Sequence, residues 1–194
     1  MMVKTIFCGF GGQGVLMMGY SLTQGGMMAG YHVTYLPSYG AEVRGGTANC
    51  TVVVADEEIA SPIASEPNYL VVMNTPSLYT FQNRLASGGS LFLNSSIIEA
   101  RPSRKDIHVY EIPCIEVAEK LGNQRAANIV MMGAFIRKTS FVSPEAYLKG
   151  LEIIMGSKKK AILDANRVAF AAGSEFFPIA HNKGKAVRKK TSTK

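Results

Sequence analysis

An α/β fold, one domain with a largely parallel sheet flanked by helices, is what the sequence predicts, and three observations carry the prediction. Up to about residue 113, short apolar runs of strand length alternate with turn-rich stretches. Beyond that point the apolar spacing lengthens from two residues to about 3.6, the helical period. A glycine-rich turn, Cys8 to Val15 (CGFGGQGV), directly follows an apolar run, the arrangement by which a strand passes tightly into a helix.

Residues 3–8 (VKTIFC) form the first strand, and the helix behind the turn starts near Gly14, with Val15, Leu16, Met18 and Leu22 packing back on the sheet. Residues 31–36 (YHVTYL), rich in β-branched and aromatic side chains, form the second strand. Together they make a βαβ unit with a right-handed crossover, so the domain is expected to be Rossmann-like. Residues 37–50 (PSYGAEVRGGTANC) read as a loop feeding a strong strand at 48–55. A turn at 56–58 precedes a buried strand at 68–73 (NYLVVM). A short helix at 76–85, then Ser-Gly-Gly, lead to strands at 90–93 and 107–112. Helices are expected at 115–121, 126–138, 144–155 and 158–172. Ser143-Pro144-Glu145 is a strong helix start: a capping hydroxyl, proline at the first helical position and an acid at the positive end of the dipole. No internal repeat or boundary interrupts the pattern, so one domain is expected over residues 1–180, followed by a flexible tail over 181–194.

Composition narrows the class. With 194 residues, 47% hydrophobic and 18% charged, the chain is long enough to bury a core without disulfides. No apolar run approaches the roughly 18 residues of a membrane span, and Lys4 precedes only a short strand-like run, so no signal peptide is read and the cytoplasm is the expected compartment. Cys8, Cys50 and Cys114 are odd in number, widely spaced and without a C-x-x-C, which predicts buried reduced thiols rather than disulfides or a metal cluster. The methionine pairs Met17-Met18, Met27-Met28 and Met131-Met132 are expected mainly in the core. The net charge of +7 resides in the tail: Lys183, Lys185, Arg188, Lys189, Lys190 and Lys194 face no acid there, and removing these six cations leaves +1 for the rest. No folded basic groove with interleaved aromatics is visible, so nucleic acid is not an expected partner.

Gly9, Gly11 and Gly14 satisfy G-x-G-x-x-G between a strand and a helix, where free backbone N–H groups and the helix dipole favour a phosphate. The usual test for NAD is an acid at the end of the second strand; here none occurs before Glu42, and no arginine stands there for a 2′-phosphate. The turn alone leaves open a tight connection without ligand, the phosphate of another ligand, or a partner surface. Glu42 and Arg44 lie among glycines in YGAEVRGG, either as a surface pair or with Arg44 meeting an outside carboxylate or phosphate. His32 and His108 read as strand-end or core residues and His181 lies in the tail. With no G-x-S-x-G, H-E-x-x-H or carboxylate cluster, the chain carries no evident catalytic set, which suggests one subunit of a larger enzyme.

GFGGQGV followed by YLPSYGAEVRGGTANCTVVVADEEIASP resembles the gamma subunit of the 2-oxoacid:ferredoxin oxidoreductases, in the branch acting on 2-oxoglutarate or 2-ketoisovalerate. The likeness runs from about Val3 to Ala172 and is densest between Gly9 and Pro62. The resemblance implies an enzyme that oxidatively decarboxylates a 2-oxoacid, first of all 2-oxoglutarate, to an acyl-CoA. Such an enzyme uses thiamine diphosphate, magnesium, iron–sulfur clusters and coenzyme A, and passes electrons to ferredoxin. It further implies alpha, beta and delta subunits as partners that hold the thiamine and the clusters. This chain then contributes subunit contacts and coenzyme A access. Under that reading Gly11, Gly12, Gln13 and Gly14 supply backbone and amide donors to coenzyme A and Arg44 adds charge; no residue of the chain is catalytic and none binds metal. An isolated subunit of this kind is expected to self-associate through a bared apolar patch. Two rivals stay open: the corresponding subunit of indolepyruvate oxidoreductase, and a free-standing nucleotide-binding protein.

Overall fold

The computed structural model describes residues 1–39, 46–156 and 160–177. Six strands form one sheet in the order β2-β3-β1-β4-β5-β6. They are β1 (Met2–Phe10), β2 (His32–Tyr39), β3 (Thr47–Ala55), β4 (Tyr69–Val72), β5 (Ser90–Asn94) and β6 (His108–Ile112). Of the five pairings three are parallel, β1 to β4 to β5 to β6, and two are antiparallel, because β3 lies between β1 and β2 and opposes both. The sheet is therefore mixed. The expected βαβ unit is present, since β1 and β2 run the same way, but β3 occupies the place between them.

The expected loop at 37–50 is shorter than its composition suggests. Pro37, Ser38 and Tyr39 extend β2, paired with Cys50, Asn49 and Ala48. A proline is tolerated there because β2 is an edge strand, with no further strand requiring its missing N–H. Glu42 and Arg44 lie outside the described residues, as does the basic tail with the boundary set at residue 180.

Helices cover the two faces unequally. α1 (Val15–Met28), α3 (Cys114–Lys120), α4 (Ala127–Thr139), α5 (Pro144–Met155) and α6 (Lys160–Ser174) enclose the larger core on one face. Phe7, Val52, Val71 and Phe92 of the sheet meet Met18, Leu22, Met131, Met132 and Phe135 there. On the other face α2 (Thr75–Phe81) and a 3₁₀ turn (Gln82–Arg84) cover Ile6, Cys8, Leu70, Val72, Leu91 and Leu93 with Leu78, Phe81 and Leu85. The parallel strands are thus apolar on both sides, which explains their unbroken hydrophobic runs.

Phe135 sits at the centre of an aromatic cluster, with ring centroids 5.7 Å from Phe7, 5.6 Å from Tyr69, 5.2 Å from Phe92 and 6.0 Å from Phe141. α4 and α6 cross without side chains between them: a Cβ on Gly173 would fall on the Val130 carbonyl, and one on Gly133 on the Phe170 carbonyl. Ser143 caps α5 as expected, its Oγ accepting the Ala146 N–H at 3.1 Å. Of the paired methionines, Met18, Met131 and Met132 are buried, while Met27 and Met28 are exposed on α1. His32 and His108 open β2 and β6 and are exposed, as strand-end residues.

The three cysteines are free and buried. Burial pushes the Cys8 thiol well up and raises Cys50 and Cys114 to about 12. A raised folded value means that the thiols contribute stability in full below the ordinary value of 9.0; that contribution is lost as pH climbs toward about 12, because the unfolded chain ionises first. The urea midpoint is accordingly expected to hold steady from neutrality to about pH 9 and to fall above it. Iodoacetamide at pH 8 should label the thiols only once urea has unfolded the chain. Rapid labelling of the native chain contradicts this.

Candidate functional site

The sheet reverses its winding between β1 and β4. After β1 the chain turns into α1 on one face, and after β4 it turns into α2 on the other. The carboxyl ends of two such strands leave a crevice, the usual ligand position in open α/β sheets. A cleft of about 240 Å³ lies there, lined among others by Gly12, Gln13 and Met73 from the two strand ends and by Gln124, Arg125 and Asn128 from the start of α4. That volume is below the roughly 300–1,000 Å³ of a complete small-molecule pocket, so the described residues enclose only part of a cofactor-sized ligand.

Two helices begin at this cleft without polar caps. Gly14 occupies the N-cap of α1 with φ +76, no side chain caps the helix, and its first turn holds no acid. α4 likewise starts from Ala126 with no side-chain cap and no acid in its first turn. The first N–H groups of α1 lack intrahelical partners and so offer donors and a partial positive charge, whereas α4 continues a 3₁₀ turn (Gln124–Ala126) whose Gln124 carbonyl takes the Ala127 N–H. Gly14 is required twice over, by its left-handed backbone and because a Cβ would lie 2.9 Å from Cγ of Asn128. This packing sets the start of α4 directly over the glycine turn.

The candidates read from the sequence have distinct fates. Gly11 donates its N–H to the Gly46 carbonyl at 3.0 Å, tying the turn to the foot of β3. Gly12, at φ +100, is exposed with open space where a side chain would be. Gln13 is committed within the fold: Oε1 accepts the Phe10 N–H at 2.7 Å and Nε2 donates to the Met73 carbonyl at 3.0 Å. Gly14 is the helix cap, and Arg44 lies outside the described residues.

Sequence reasoning missed Arg125. It is exposed and makes no ion pair among the described residues. A cation beside a helix N-terminus opposes the dipole, a local inconsistency of the kind expected at functional or strained positions. That was a readable signal. Gln124, beside it, donates to Glu119 Oε1 at 2.8 Å and so fixes the approach to α4.

Among the described residues the cleft is lined by one cation, Arg125, the amides of Gln13, Gln124 and Asn128, and no carboxylate. The cysteines are buried apart, and no group of three or more histidine, cysteine or carboxylate side chains converges among the described residues. No described helix is long and apolar enough to cross a membrane.

An α/β domain with a cleft at the switch point of its sheet is the class that this fold defines. Comparison with known proteins goes a step further: the chain belongs to the pyruvate ferredoxin/flavodoxin oxidoreductase family, whose model matches residues 4–176. It is 37% identical over 175 residues to the ketoisovalerate oxidoreductase subunit VorA of Methanothermobacter thermautotrophicus, covering 90% of this chain and 36% of that subunit. The chain thus spans about a third of the length of that relative. Identity to the 2-oxoglutarate synthase subunit KorC of Methanothermobacter marburgensis is 34% over 174 residues, covering 86% of this chain and 92% of KorC. The keto/oxoacid ferredoxin oxidoreductase gamma subunit of Geobacter sulfurreducens superposes with a TM-score of 0.76 at 26% identity, covering 90% of this chain and 97% of that one. The resemblance read from GGQG and YGAEVRGG is borne out.

Proposed function

We propose that this chain serves as the gamma subunit of a cytoplasmic 2-oxoacid:ferredoxin oxidoreductase, with 2-oxoglutarate as the first substrate to test. Its partners are the alpha, beta and delta subunits that hold thiamine diphosphate and the iron–sulfur clusters, with ferredoxin reached through them. Its own task is to receive coenzyme A. The observation that carries this reading is the cleft itself, where the uncapped start of α1 and Arg125 converge and no acid lines the cleft among the described residues. Coenzyme A is a thiol carrier whose pyrophosphate and 3′-phosphate are anionic. Gly12 and Gly14 allow its phosphates close to the backbone, and the first turn of α1 supplies N–H donors. Arg125 neutralises charge, and Arg44 is assigned the same role from the family likeness. The remaining wall of the site comes from a partner, in keeping with the small enclosed volume.

The relatives act on different 2-oxoacids by name, and identities of 37% and 34% do not rank those acids. Anaerobic purification of the tagged chain from its own cells, with ferredoxin reduction assayed over a panel of 2-oxoacids, decides the matter. Recovery with thiamine- and cluster-bearing chains and coenzyme A-dependent activity is expected; recovery alone and without activity contradicts the assignment. In the complex, Arg125→Ala is expected to raise KM for coenzyme A by roughly tenfold, the worth of a charge-assisted hydrogen bond, with kcat within about twofold. An unchanged KM removes Arg125 from the site.

A further inference from the structure

Beneath the cleft, two amide side chains are each held in a single orientation by backbone groups. Gln13 presents Oε1 to the Phe10 N–H and Nε2 to the Met73 carbonyl. Turning the amide over would set N–H against N–H and oxygen against oxygen, so only one orientation is satisfied. Asn74, 2% exposed, is fixed in the same way. Its Oδ1 accepts the Ser77 N–H at 2.9 Å and caps α2, which leaves Nδ2 to donate to Gln13 Oε1 at 3.2 Å. Asn94, buried at the end of β5, donates to the same Met73 carbonyl at 3.4 Å. The ends of β1, β4 and β5 are thereby joined.

A glutamine amide has two acceptor sites and two N–H donors. Phe10 and Asn74 fill both acceptor sites of Gln13, and Met73 takes one donor. One Nε2 N–H remains, on a side chain that lines the cleft.

We propose that Asn74 is a positioning residue for the cleft: it locks the Gln13 amide so that the remaining N–H is presented to an oxygen of the bound ligand. The inference rests on the coenzyme A reading above. Capping α2 does not by itself call for asparagine, because serine, threonine or aspartate would serve Ser77 as well. Asparagine accepts from Ser77 through Oδ1 and donates to Gln13 through a separate atom, Nδ2, an arrangement that serine, threonine and aspartate do not offer.

The test compares Asn74→Ser and Asn74→Asp with the wild type. Both keep an oxygen for Ser77, and both remove the N–H that holds Gln13. In the full-length chain, the Gln13 side-chain ¹H–¹⁵N resonances, assigned by their loss in Gln13→Ala, are expected to exchange slowly in the wild type and faster in both variants. In the assembled complex, coenzyme A affinity is expected to fall roughly tenfold in each variant. A helix-capping role alone would lower the thermal midpoint and leave the Gln13 resonances unmoved. Unchanged Gln13 resonances overturn the proposal whatever the affinity does. If Gly12→Asp weakens binding and the Asn74 variants do not, the positioning role falls while the coenzyme A reading stands. If neither Gly12→Asp nor the Asn74 variants change affinity, the coenzyme A reading falls and takes the proposal with it.

Discussion

Phe135→Ala is expected to destabilise the chain by about 3–5 kcal/mol, the range for removing a fully buried aromatic ring. The ring is completely buried and touches Phe7, Tyr69, Phe92 and Phe141, so its removal strips contacts from α4, β1, β4 and β5 together. Three of the four surrounding rings, Phe7, Tyr69 and Phe92, are anchored in strands and cannot collapse far into the space. For a chain of this length the loss corresponds to a drop of roughly 10 °C in the thermal midpoint, measurable by circular dichroism. A drop of only one or two degrees would mean that the cluster repacks freely, contrary to the packing described.

Gly173→Ala acts by the opposite mechanism. A single methyl group there meets the Val130 carbonyl, a backbone atom that no rotamer change can move aside. α6 must then lift from α4, which carries the partner contact at Gly133 against Phe170. Overpacking of this kind costs about 1–3 kcal/mol and sometimes more, against the helix-propensity gain of nearly 1 kcal/mol that alanine brings. A net loss near the upper end of the overpacking range is expected because the clash is with backbone. The urea midpoint of the variant checks this, and equal or greater stability than wild type would show that the helices do not cross so closely. Gly133→Ala should behave alike, since it meets the same crossing from the other helix.

Much of the fold is legible in the sequence because strand and helix periods are written in burial. VVVA at 52–55, LVV at 70–72 and LFL at 91–93 are runs that only a covered sheet can hide. Direction is not written in such runs. The stretch around Val52 to Val54 reads the same whether β3 lies parallel or antiparallel to β1, and the insertion of β3 between β1 and β2 depends on pairing across the sheet. The ends of β2 and β3 were obscured by turn-like composition, since Pro37, Ser38 and Thr47 signal a loop locally and become strand only by joining a long hairpin.

The candidate site divides similarly. The glycine turn announces itself through local geometry, and Gly14 takes the left-handed conformation that such a turn needs. Arg125 and Asn128 stand more than a hundred residues further on, and only the packing of α4 over the turn brings them to Gly14. Arg125 still left a trace in its awkward place before a helix. Asn74 left half of one: Asn-Thr-Pro signals a helix cap, which it is, while its donor to Gln13 follows from the adjacency of β1 and β4.

The proposed service of the switch-point cleft to coenzyme A turns on an anion site open at Gly12. Its most direct test is the steady-state KM for coenzyme A in the assembled complex carrying Gly12→Asp, with Gly12→Asn as the control. Both side chains enter the same open space at φ +100 and differ chiefly in charge. The anion cleft predicts a KM for coenzyme A at least roughly tenfold higher for aspartate than for asparagine, with KM for the 2-oxoacid unchanged. Equal KM values for the two variants and the wild type would contradict it.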